Sequence, residues 1–134
     1  MYNLTIVTPQ KIFYEGEIES LIVPGIEGYL GVLTDHAPLI TAIVPGKVTI
    51  REKSHEEILM AVSYGFFEVS SNHATLLADS VEFVSDIDLE RARGALERAK
   101  KRLVNAAGEI DLPRAHKALE RARNRIRVAT SGEE

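Results

Sequence analysis

The spacing of apolar and polar positions changes period once along this chain, near residue 85. Before that point, short runs alternate every second residue. Leu4–Thr8 is apolar and β-branched and is stopped by Pro9. Glu17–Val23 begins in alternation, and Pro24-Gly25 breaks it. Lys47–Arg51 alternates cleanly after Pro45-Gly46. Glu57–Val62, Phe66–Ser70 and Ala74–Ala78 follow, separated by Ser63-Tyr64-Gly65 and Ser71-Asn72. Short strands at this spacing predict an antiparallel sandwich or barrel. Most glycines and four of the five prolines fall in this part, which argues against helix. The glycine-rich run Gly25–Gly31 reads as a turn between strands; its spacing fits no phosphate loop.

From Ser85 the period lengthens. Ser85-x-x-Asp88 reads as a helix start, a cap acceptor followed by an acid in the first turn. Leu89, Ala92, Leu96, Ala99, Leu103 and Ala106 then fall three and four apart, one stripe along a helix. Gly108 is the expected turn. Asp111 is the expected cap of a second helix, with Pro113 tolerated in its first turn. Ala115, Ala118, Leu119, Ala122, Ile126 and Ala129 make the second stripe, and Thr130–Glu134 is expected to fray. Two striped helices on a short connection predict an antiparallel hairpin. Its seam is mostly alanine, so it buries little apolar area and should be marginal alone. The domains expected are therefore a β-sandwich over 1–84 and a helical hairpin over 85–134.

Charge follows the same division. Residues 1–84 hold four Lys and Arg against eleven Asp and Glu, or −7; residues 85–134 hold twelve against nine, or +3. That asymmetry points the second half at an anionic partner. The chain has no cysteine, which excludes disulfides and thiolate chemistry. No basic, apolar leader opens it, and no run approaches the roughly 20 apolar residues that cross a bilayer. Membrane association is expected only through a protein partner.

Reactive groups are scarce. His36, His55, His73 and His116 have no partner at metal-ligand spacing, and no nucleophile elbow or nucleotide-binding glycine motif occurs. His55 and His73 read as hairpin-turn residues. The hairpin carries more information. Asp88, Arg91, Ala95 and Arg98 share one helical line, beside the apolar stripe, and Arg121 and Arg125 flank Ala122. If the seam zips antiparallel, Arg98, Arg121 and Arg125 become three fork-shaped donors suited to a polyphosphate. The competing reading pairs each with a local acid, such as Glu97 or Glu120. Nucleic-acid binding is disfavoured: acids mix with the bases, and no aromatic residue after Phe83 is available for stacking.

Three segments, in order, resemble the epsilon subunit of the bacterial F-type ATP synthase. Gly28-Tyr29-Leu30-Gly31 through His36-Ala37-Pro38-Leu39 is similar to the family's G-x-L-G…H-A-P-L pattern. Ser63-Tyr64-Gly65-Phe66-Phe67-Glu68-Val69 resembles its S-G-G-x-x-E-V strand, and Ile87-Asp88-Leu89-Glu90-Arg91-Ala92 its I/L-D-x-x-R-A motif. The resemblance spans essentially the whole chain. It implies a sandwich of about ten strands followed by a helix pair, in a non-catalytic subunit of the central stalk.

The resemblance implies partners as well. The sandwich would bind the gamma subunit and the rotor ring of c subunits, at the cytoplasmic face of the cell membrane. The helices would either fold down or extend into the head of catalytic beta and alpha subunits, where they block ATP hydrolysis. A basic hairpin suits an acidic segment of beta. In some members ATP holds the folded hairpin. The implied positions are Glu82, Ile87, Asp88, Arg91, Ala92, Arg98, Arg121 and Arg125, with Asp88 and Arg91 toward the nucleoside and the other three arginines toward the phosphates. ATP would be a regulatory ligand that is not hydrolysed, because nothing here supplies a general base. Magnesium is compatible with this pattern and not required by it. Tyr29 departs from the family, whose relatives often carry an acid at this rotor contact; His36 keeps the family residue. The alternative is a purely structural stalk subunit that senses no nucleotide.

Overall fold

The computed structural model describes residues 1–104 and 112–131. Ten strands come first: β1 (Tyr2–Val7), β2 (Ile12–Ile18), β3 (Ser20–Gly25), β4 (Gly28–Val32), β5 (Leu39–Ile43), β6 (Gly46–Arg51), β7 (Glu57–Val62), β8 (Gly65–Ser70), β9 (His73–Ala78) and β10 (Val81–Phe83). A 3-10 turn over Val84–Asp86 leads to α1 (Leu89–Val104) and α2 (Leu112–Ser131). The chain divides into two compact units, Met1–Phe83 and Val84–Glu134.

In the first unit the strands run in the order β10-β7-β6-β3-β5-β8-β9-β1-β2, and β4 pairs with β3. β3 meets β5 through a single pair, Gly25 with Ile43, so the sheet folds into its two layers there. Inward positions of both layers, among them Phe67, Leu4, Ile6, Ile50, Met60 and Leu76, are fully buried. At about 25 cal/mol per Å² of apolar surface, burial of large side chains on this scale is what holds a domain of this size together. Phe13 of β2 and Phe83 of β10 bring the two end strands into ring contact, with centroids 4.8 Å apart.

Several strand readings need correction. The single run Glu17–Val23 is two strands. β2 ends at Ile18, paired with Tyr2, and β3 begins at Ser20, paired with Arg51. Glu19 is the crossover, its N–H donating to the Arg51 carbonyl at 2.8 Å. The buried residues Ile18 and Leu21 are three apart, so the alternation slips by one where the chain changes layers. The glycine-rich run is a hairpin rather than a turn: β4 occupies Gly28–Val32, and only Ile26-Glu27 link it to β3. β5, β10 and the first half of β2 were not expected. The sheet is antiparallel except for β1 and β9, which are parallel from Asn3–His73 to Val7–Leu77.

Gly65 explains the glycine of its motif. A Cβ built there would lie 1.8 Å from the Leu77 carbonyl oxygen, so β8 and β9 could not approach with any side chain at that place.

In the second unit α1 packs on α2. Ala92, Ala99, Ala115, Leu119 and Ala122 are buried, and Leu89, Leu96, Leu103, Ala118, Ile126 and Ala129 are half-buried. Every stripe position that the structure describes thus points inward. The stripe reading missed Asn124 and Val128, which are buried on the opposite side of α2. Asp88, not Ser85, caps α1: its Oδ1 accepts from the Arg91 N–H at 3.1 Å, and Ser85 belongs to the 3-10 turn. α2 continues to Ser131, into the segment expected to fray, and the Thr130 hydroxyl donates to the Ile126 carbonyl at 2.8 Å. Ala106, Gly108, Asp111 and residues 132–134 lie outside the described residues.

Candidate functional site: an arginine line on the helix pair and an exposed face on the sandwich

Basic charge concentrates on the two helices. α1 carries Arg91, Arg93, Arg98, Lys100, Lys101 and Arg102 against Glu90 and Glu97, a balance of +4. α2 carries Arg114, Lys117, Arg121, Arg123, Arg125 and Arg127 against Glu120, a balance of +5.

The positions singled out by the resemblance are distributed as follows. Ile87 is half-buried between the 3-10 turn and α1, its N–H donating to the Val84 carbonyl at 3.1 Å. Asp88 and Arg91 are joined by the cap hydrogen bond, and both side chains are exposed. Ala92 is fully buried and can contribute only shape and backbone. Arg98 is exposed and lies back along α1; its guanidinium nitrogen sits 3.3 Å from where a Cβ on Gly94 would be. Helical side chains lean toward the N-terminus, so Arg98 covers position 94, on the side of Arg91. On α2, Arg121 is exposed and Arg125 half-buried. Glu82 is half-buried. It lies on β10, opposite Ala61 of β7, in the first unit.

The local acids take other partners. Glu97 faces Lys100 at 4.0 Å, and Glu120 faces Arg123 at 3.5 Å, both three residues apart on one helix. Among the described residues, Arg98 and Arg121 therefore have no carboxylate partner. Among the described residues, no group of three His, Asp or Glu side chains could hold a metal ion.

The sandwich carries the other candidate surface. One row crosses the outer side of a layer: Ala42 of β5, Phe66 of β8, Leu77 of β9, Val7 of β1 and Ile12 of β2, each registered with the next. Phe66, Leu77 and Ile12 are exposed, as is Ile40 on β5. Apolar side chains in an unbroken row, rather than scattered singly, mark a docking surface. Sequence reading missed this row because only the strand registers assemble it.

Tyr29 lies on β4 and is 62% exposed. Its hydroxyl accepts from the Lys47 N–H at 3.1 Å and crosses Gly46, where a Cβ would be 2.9 Å from it. Tyr29 thus offers a ring and one engaged hydroxyl where a carboxylate was the family expectation. His36 is half-buried in the loop between β4 and β5; its backbone N–H donates to the Leu33 carbonyl at 3.3 Å, and its Nδ1 is 2.6 Å from the Ala37 carbonyl oxygen. His55 has the left-handed φ of 66° suited to a turn, and its ring lies 3.2 Å from the Glu19 carboxylate.

The family model for the beta-sandwich domain of the ATP synthase delta/epsilon chain matches residues 1–84, and that for its long alpha-helix domain matches residues 85–130. The chain belongs to the ATP synthase delta/epsilon chain family. Among its relatives, the ATP synthase epsilon chain of Protochlamydia amoebophila is 45% identical over 103 residues, covering 77% of this chain and 70% of that one. The epsilon chain of Moorella thermoacetica is 48% identical over 101 residues, covering 75% of each. Among solved structures, the mitochondrial ATP synthase of Euglena gracilis contains a chain similar to this one with a TM-score of 0.76. At 20% identity it covers 90% of this chain and 76% of that one. A chain of the Tetrahymena thermophila mitochondrial ATP synthase, from its central stalk and c-ring, gives 0.56 at 16% identity, covering 98% and 96%. At these identities the solved structures establish the fold of this delta/epsilon-family chain. Among the described residues, no helix is long and apolar enough to cross a membrane.

Proposed function

We propose that this chain is the epsilon subunit of the central stalk of a proton-translocating F-type ATP synthase, and that its helix pair is an ATP-responsive brake on hydrolysis. The subunit is non-catalytic. It couples the rotor to the catalytic head and sits peripherally at the cytoplasmic face of the cell membrane, held there by the complex. The gamma subunit docks on the apolar row of Phe66, Leu77 and Ile12. The rotor ring of c subunits is met by the surface that carries Tyr29 and His36; with no carboxylate at position 29, that contact uses the tyrosine ring rather than an ion pair.

The observation that carries the regulatory reading is the engagement of Glu97 by Lys100 and of Glu120 by Arg123. These pairings leave Arg98 and Arg121 as donors for an external anion. With Arg125 they fit the phosphates of ATP, while Asp88 and Arg91, at the start of α1, lie toward the nucleoside. ATP favours the closed helix pair because only there do α1 and α2 present their arginines together. When the pair opens, the same basic helices meet acidic surface on the catalytic beta and alpha subunits and stop hydrolysis. In this reading ATP is a regulatory ligand and is not consumed. Magnesium enters, if at all, on the phosphates.

Calorimetric titration of ATP into the full chain tests this reading. Binding is expected, weakened about tenfold or more by Arg98→Ala and by Arg125→Ala, because a hydrogen bond to a charged group is worth about 1.5–3 kcal/mol. Equal affinity in all three proteins would remove the phosphate contacts. Absence of binding would leave a structural stalk subunit. Steady phosphate release would overturn the non-catalytic assignment.

A further inference from the structure

The loop that carries His36 is fastened by a clasp that rotor binding alone does not explain. Asp35 and Asn72 exchange two hydrogen bonds across 37 residues. The Asp35 N–H donates to Asn72 Oδ1 at 2.7 Å, and Asn72 Nδ2 donates to Asp35 Oδ1 at 2.8 Å. Both residues hold left-handed backbone, with φ of 62° and 58°. Non-glycine residues adopt this region at a cost, and Asn and Asp tolerate it best. Asn72 is anchored in turn, because its carbonyl accepts from the Asn3 N–H at 3.1 Å at the head of β1. The clasp therefore ties an exposed loop to the β8–β9 turn and to β1. Within the loop, Leu33 is 66% exposed. The segment buries little that would fix it by packing, so its conformation rests on polar bonds.

We infer that the Asp35–Asn72 clasp is a positioning device. It holds Leu33 and His36 in their binding geometry before the stalk partner arrives. The inference rests on the proposed rotor contact at His36 and adds two residues, Asp35 and Asn72, that act by holding its loop. An unfastened loop would have to be ordered on binding, and that ordering subtracts from affinity. Two bonds that share both partners also make the clasp cooperative: Asn72 supplies one donor and one acceptor, and losing its side chain releases both.

The left-handed backbone gives a clean test, since glycine accepts that conformation without strain. Asn72→Gly removes both clasp bonds and keeps the carbonyl that Asn3 uses. Asp35→Gly removes the carboxylate and keeps the N–H. The full chain and these variants would be measured for dissociation from a purified rotor, the ring of c subunits with gamma bound. Amide hydrogen exchange would be followed in parallel at residues 33–37 and in β8 and β9. Dissociation about tenfold faster is expected for Asn72→Gly. A smaller effect is expected for Asp35→Gly, and the double variant should match Asn72→Gly. Exchange should accelerate in residues 33–37 and stay unchanged in β8 and β9. Unchanged dissociation with a loosened loop would overturn the positioning role, and so would a loop whose exchange does not respond. If the unaltered chain fails to bind the rotor, the proposed rotor contact falls and the clasp inference falls with it. Rotor binding that responds to His36→Ala but not to Asn72→Gly overturns the clasp alone.

Discussion

The sandwich and the helix pair are held together by different amounts of the same force. The sandwich interior contains Phe67, Leu4, Ile6, Met60 and Leu76, each fully buried. The helix seam has Ala92, Ala99, Ala115 and Ala122 at its centre, with Leu119 its one large, fully seated side chain among the described residues. A buried large aliphatic or aromatic side chain contributes about 1.5–3 kcal/mol, and an alanine methyl well under that. The basic balance of +4 and +5 on the two helices also opposes their closure. One unit is therefore a fixed platform. The other has the smaller apolar seam to hold it.

The largest effect that would separate the two units is in the platform. Phe67→Ala should cost about 3–5 kcal/mol through the cavity it leaves. Chemical denaturation followed by near-ultraviolet absorption of the tyrosines should show a midpoint lost or sharply lowered. A small effect would mean that the sandwich core is not what holds that unit. Next in size is the response to nucleotide. ATP at about 100 times its dissociation constant should add about 2.7 kcal/mol to the closed state. Slowed amide exchange should be confined to α1 and α2; protection spread equally over the strands would erase the contrast.

A smaller change touches only the helices. Asp88→Ala removes the N-terminal cap of α1 and should destabilise that helix by about 1 kcal/mol. The loss should appear as reduced helical circular dichroism, with the sandwich transition unmoved. If the sandwich transition moves equally, the units melt as one.

The last comparison uses pH. The Tyr14 hydroxyl is held above its ordinary range near 10, first by burial and then by its 2.8 Å hydrogen bond to the Glu52 carboxylate. Burial raises Tyr2 in the same direction. Both groups are raised in the folded state, so their contribution is complete below about pH 10, the unfolded value, and is lost as pH climbs beyond it. Alkaline titration should therefore weaken the sandwich before it affects the helices, and Tyr14→Phe should reduce that sensitivity. Equal alkaline loss in the variant would remove Tyr14 as a cause.

Much of this architecture could be read along the chain because its causes are local. The period change at residue 85 and the stripe through Ala92 and Ala99 are properties of neighbouring residues. So is the strand over Glu57–Val62, which the structure reproduces residue for residue. The arginine line was legible for the same reason: three- and four-residue steps on a helix need no tertiary information. The strand β4 was not legible, because Gly28 and Gly31 announce a turn, and only pairing with β3 makes them a strand. The helix cap was misplaced by three residues, because Ser85 and Asp88 are equally good acceptors, and the 3-10 turn decided between them.

By itself, then, the sequence determined two modules, their order, the stripe along which the two helices pack and the spacing of the basic residues on them. Tertiary structure decided everything that depends on distant residues meeting. The parallel pairing of β1 with β9, the row from Ala42 to Ile12 and the clasp between Asp35 and Asn72 all join segments tens of residues apart. Strand register is chosen by the whole core at once. No local window contains the residues that would reveal it.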